Sequence, residues 1–118
     1  MSIPVELSNL AATLARYRFA YLMTTSTSGA PHAVAVSVQM QGAELVINPI
    51  GRRTSNNARA HPAVGLVWPP PTETDYSLIV DGQATVGEGS MRIIPQRAVL
   101  HRPAPSEAGQ ARAPGHAT

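Results

Sequence analysis

The chain has 118 residues, 43% of them hydrophobic, which is enough for one domain with a modest core. It contains no cysteine, so disulfides, thiolate metal sites and cysteine nucleophiles are excluded, and no stretch approaches the roughly 18 consecutive apolar residues of a membrane span. All nine basic residues are arginine, dispersed apart from Arg52-Arg53, and the net charge is only +2. Without lysine no Schiff base can form, and a binder of nucleic acid would carry a denser basic stripe or more aromatic stacking. The N-terminus lacks a basic start followed by an apolar stretch, which makes a cytoplasmic protein the expectation.

Residues 4–16, PVELSNLAATLAR, place Leu7, Leu10, Ala11 and Leu14 at helical spacing, with Pro4 in the first turn and Glu6 where an acid favours a helix N-terminus. The period then changes. FAYLMTTS (19–26) is apolar, aromatic and β-branched and runs into the turn cluster Thr27-Ser28-Gly29-Ala30-Pro31. HAVAVSVQM (32–40) alternates loosely, Gln41-Gly42 offers a hairpin turn, and ELVIN (44–48) completes a three-stranded meander. The polar stretch Gly51–Ala60 predicts a short helix that Thr54 or Ser55 caps and that ends before Pro62.

AVGLVW (63–68) reads as an apolar strand closed off by three prolines. SLIVDGQATV (77–86) is the longest strand candidate, with Asp81-Gly82 marking a bulge or bend. Gly87-Glu88-Gly89 turns the chain into SMRII (90–94), followed by a further apolar stretch, AVL (98–100). After residue 102 no apolar period remains, so 1–102 reads as the domain and 103–118 as a disordered tail. The expectation is a mainly β protein of about six antiparallel strands, with an N-terminal helix and a short helix before the fourth strand. Its edges are hidden by closure into a small barrel or by pairing with a second chain.

The chemistry-bearing residues are few. The histidines at 32, 61, 101 and 116 stand in no HxH, HxxxH or HExxH arrangement, so no metal is expected, and His32 reads as a rim or packing residue. No GxSxG, GxxxxGK[ST] or GxGxxG occurs, and no side chain identifies itself as catalytic. GRRTSNN (51–57) has two readings. A glycine turn opening a helix, with two guanidinium groups and two hydroxyls, suits a phosphate. Alternatively Thr54 or Ser55 simply caps the helix and both arginines are solvated.

Taken in order, Ser28-Gly29-Ala30-Pro31, then Arg52-Arg53, then His61-Pro62-Ala63-Val64-Gly65-Leu66, then Ile79-Val80-Asp81-Gly82-Gln83-Ala84 resemble the pattern of the pyridoxamine 5′-phosphate oxidase-like superfamily of split β-barrel flavoproteins. The resemblance covers roughly residues 5–100. It implies a homodimer with cofactor bound at the subunit interface, its phosphate held by the basic turn and its ring lying along the barrel strands. Carried over residue by residue, it implies that Arg53 matches the family's turn arginine and that Arg52, Thr54 and Ser55 complete the phosphate grip. Asn48 falls where a polar residue faces the cofactor. Ala33, Val34, Ala35, Val36 and Ser37 match the strand flanking the ring, and Ser77 stands where a glutamine contacts the flavin.

Thr54 occupies the position of a family lysine, which leaves Arg52 to supply the second charge. PQRAVLHRPAP offers no match to the substrate-binding segment of the true oxidases, so pyridoxamine phosphate is not the expected substrate. The resemblance thus implies an oxidoreductase with FMN, or alternatively F420, acting on another small molecule. A flavin- or haem-sequestering module without turnover and a cofactor-free dimer are the competing readings.

Overall fold

Strand β2 (Ala20–Thr25) shows how the sequence builds the sheet: Ala20, Leu22 and Thr24 are buried while Tyr21 and Met23 point outward. The same two-residue period runs through β5 (Glu44–Ile47), β6 (Ala63–Trp68), the first half of β7 (Ser77–Val86) and β8 (Met91–His101). Their inward residues, among them Leu22, Leu45, Leu66, Trp68, Leu78, Val80 and Ile93, form the core with Leu10. In the computed structural model, which describes residues 1–104, eight antiparallel strands make one sheet. The remaining strands are β1 (Ser2–Pro4), β3 (Pro31–Val36) and β4 (Gln39–Gln41). The helices are α1 (Leu10–Leu14), entered through a 3-10 turn at Leu7–Asn9, and α2 (Arg52–Ala60).

The hydrogen-bonded order is β3-β2-β6-β7-β8-β5-β4, with β1 added to β8. One edge of β8 takes the whole of β7, and the other takes β5 at Met91–Ile93 and β1 at Val99–His101. The terminal strands of this path, β3 and β4, are separated in the chain only by Ser37 and Val38. The sheet therefore curls round far enough to bring its ends together, but no ladder joins them. It is a split barrel, mainly β with two short helices, as the sequence led us to expect. Among the described residues no helix is long and apolar enough to cross a membrane.

Several boundaries differ from the sequence reading. Pro4 is not in a helix: β1 pairs it with Val99, and Val5 N–H donates to the Ala98 carbonyl at 2.9 Å. Proline lacks an N–H, and a short edge strand accommodates it. The expected strand 32–40 is two strands, because its first half pairs with β2 and its second with β5. Conversely, 90–94 and 98–100 belong to one continuous β8 that absorbs Pro95 at a bulge.

That bulge is where Asp81-Gly82 forecast it, but the extra residue lies on the other strand. Asp81 faces Arg97 and Gly82 faces Pro95, which leaves Gln96 unpaired. Gly82 is required there, since a Cβ would sit 2.5 Å from the Ile94 carbonyl oxygen. The expected tail lies outside the described residues from 105 onward.

Candidate functional site

Helix α2 begins one residue after Gly51, whose extended backbone (φ −80°, ψ 170°) makes it the N-cap, and no side chain caps it. The expected Thr54 or Ser55 cap is therefore not formed. The helix starts too early for that, so both hydroxyls fall inside the first turn and are buried against the sheet. The first helical bond is Ser55 N–H to the Gly51 carbonyl, 3.0 Å, which leaves the N–H groups of Arg52, Arg53 and Thr54 without a capping side chain. They lie at the positive end of the helix. Arg52 and Arg53 are exposed, and among the described residues neither is in an ion pair; the pairs present are Arg92–Glu44 and Arg97–Asp81.

These arginines line both lobes of an open cleft. One lobe, of about 720 Å³, lies between the β2–β3 turn (Ser26, Thr27, Ala30 to His32) and Arg52, Arg53, Asn56 and Asn57. The other, of about 410 Å³, has Val34, Ala35 and Val36 on one side and the 49–54 segment on the other. No carboxylate lines either lobe. Because β3 ends the sheet, its outer edge has no strand partner beside this second lobe. A group of phosphate chemistry fits the donor set of guanidinium and backbone N–H, and a flat ring fits beside an edge strand of small and β-branched residues.

Of the residues singled out from sequence, Arg52, Arg53, Thr54, Val34, Ala35 and Val36 come together around the cleft. The others do not line it. Ala33 is exposed opposite Met23 and is in neither lining, and Ser37 is exposed beyond the end of β3. Asn48 is exposed just before the lining residues Pro49 and Ile50. Ser55 is buried beneath the helix, and Ser77 pairs with His101 at the start of β7.

One residue read from the sequence as a rim or packing residue is placed centrally by the structure. His32 lines both lobes. Its Nδ1 lies 3.5 Å from Thr24 Oγ1, which accepts a 3.0 Å hydrogen bond from Asn57 Nδ2 on the buried face of α2. The only advance signal was its position directly after the turn Gly29-Ala30-Pro31. Among the described residues no three His, Asp or Glu side chains converge as a metal-binding group.

No protein-family model matches the chain. Its curated relatives include an uncharacterized protein of Mycobacterium bovis and one of Mycobacterium tuberculosis, each 37% identical over 116 residues, spanning 85% of this chain and 82% of theirs. Among solved structures, an F420 reductase superposes with a TM-score of 0.62 at 18% identity, covering 74% of this chain and 93% of that one. A proposed pyridoxamine 5′-phosphate oxidase of Listeria innocua gives 0.67 at 14% identity, covering 80% and 96%. A FAD-binding protein of Mesorhizobium loti gives 0.67 at 14%, covering 85% and 96%. At these identities the superpositions report the fold, and the mycobacterial relatives report kinship. The chain belongs to the same family as those mycobacterial proteins and has the pyridoxamine 5′-phosphate oxidase-like split-barrel fold.

Proposed function

We propose that the protein is an oxidoreductase that binds a flavin-type cofactor, FMN first and F420 second, and acts on a small molecule other than pyridoxamine phosphate. The observation that carries this reading is the pair of arginines, in no ion pair among the described residues, at the N-terminus of α2, lining a carboxylate-free cleft beside the edge of β3. The fold neighbours named as an F420 reductase and a FAD-binding protein support it. The bound cofactor would supply the hydride or electron transfer. Arg52, Arg53 and the open N–H groups hold the phosphate, while Val34, Ala35 and Val36 bound the space for the ring. The protein acts as a homodimer, with the cofactor held where two copies meet.

Titration of the purified full chain with FMN and with F420 tests this. Wild type should bind one of them, and Arg53→Ala should bind it more weakly by about 1.5–3 kcal/mol, the loss of a charge-assisted contact. Its melting midpoint should barely move, since an exposed arginine contributes little to folding. A chain that binds neither cofactor, or an Arg53→Ala variant with unchanged affinity, would refute the proposal. Tight binding with no turnover of any electron acceptor would assign a sequestering module instead.

A further inference from the structure

Besides Arg52 and Arg53, His32 is the one side chain that borders both lobes of the cleft, so a ligand spanning them must pass it. Its neighbours decide what it presents. Thr24 is buried, and among the described residues its hydroxyl meets only Asn57 Nδ2 and His32 Nδ1. The Asn57 amide can only donate through Nδ2, so the Thr24 hydroxyl proton has His32 Nδ1 as its acceptor. A buried hydroxyl proton without an acceptor would carry a desolvation penalty. With Nδ1 as that acceptor, across 3.5 Å, the imidazole proton would sit on Nε2, at the far side of the ring from Thr24.

We propose that His32 is a ligand-contacting residue, biased through Thr24 and Asn57 toward the tautomer that offers an Nε2–H to an acceptor oxygen of the anionic cofactor. The Asn57 link ties this donor to α2, the same helix whose first turn carries Arg52 and Arg53. The cation pair and the His32 donor are thus held in one register, which limits the reorganisation needed on binding. The identity of the ligand rests on the cofactor reading above; the tautomer does not.

Two measurements separate them. Nitrogen-15 NMR of the unliganded chain at pH 8 should show His32 held in the Nε2–H form more completely than a free histidine, which already favours it, and Thr24→Val should return it to that ordinary preference. In titrations with FMN and F420, His32→Leu should weaken binding about 10-fold, the usual cost of one hydrogen bond to a polar ligand. His32→Gln retains an N–H donor at similar reach and should stay within about 3-fold of wild type. His32→Gln, whose amide oxygen can replace Nδ1 as an acceptor, should melt close to wild type, whereas His32→Leu leaves the Thr24 hydroxyl proton without one and should melt somewhat lower while staying folded at the titration temperature. An Nδ1–H tautomer in wild type overturns the network even if cofactor binds. Equal weakening in the Gln and Leu variants, or none in Leu, overturns the donor role. Failure of wild type to bind any cofactor overturns the ligand assignment while leaving the tautomer result standing.

Discussion

Tyr17 leaves α1 and donates its hydroxyl proton to the Tyr76 carbonyl at 2.7 Å, tying the N-terminal helix to the loop before β7. Burial raises its pKa above the ordinary 10.0; Arg16 pulls it back and Asp75 adds to the rise. The fold therefore favours the neutral phenol. This contribution is fully present below pH 10, where the unfolded chain also keeps its tyrosine neutral, and is lost as pH climbs through the raised folded value. Tyr17→Phe should lose about 1 kcal/mol at neutral pH. Urea denaturation should also show a smaller further decline for the variant than for wild type when the pH is taken well above 10. A variant as stable as wild type at neutral pH would show that the hydroxyl contributes nothing net.

At the scale of elements, the β7–β8 pairing is the longest among the described residues, and it carries the bulge at Asp81/Gly82. Gly82→Ala places a methyl against the Ile94 carbonyl, and backbone cannot rotate away as a side chain can. We expect a loss of about 1–3 kcal/mol, read as a lowered melting midpoint; an unchanged midpoint would show that the bulge relaxes freely. Bulge, β2, β5, β6 and β7 were legible because alternation and turn residues are local signals. What escaped depends on distant partners. Ser2–Pro4 becomes a strand only because β8 extends far enough to meet it, and 32–40 divides because its halves pair with different strands. The cleft shows the same division. Arg52-Arg53 announces itself by composition, whereas His32 acquires meaning only when β2, β3 and α2 are packed together.

For the whole molecule, the outer surface of the sheet carries exposed apolar side chains. Phe19, Tyr21, Met23 and Ile94 are exposed, and Phe19 and Tyr21 stack edge to face at 5.3 Å. Tyr21 neighbours Val67 and Met23 neighbours Gly65, so the patch continues across β6 toward Ile79. A face of this kind on a sheet whose other side already holds the core calls for a second layer. If the proposed homodimer forms through this face, Met23→Glu should weaken self-association at least about 10-fold, since a carboxylate would be desolvated at the contact. Sedimentation velocity over a concentration series reads the change, and an unaltered dimer would exclude this surface.

Strand β8 has a consequence for how the chain is made. It is the last strand in the described sequence, yet β4 and β5 are hydrogen-bonded to the rest of the sheet through it alone. While a ribosome has delivered only residues 1–90, the nascent chain holds two separate pieces of sheet, with the facing edges of β5 and β7 open. Such edges invite pairing with a neighbouring polypeptide. The eleven residues Met91–His101 close both edges at once. Assembly of the barrel therefore waits for β8 to emerge, and until then both edges stay available to a neighbouring chain.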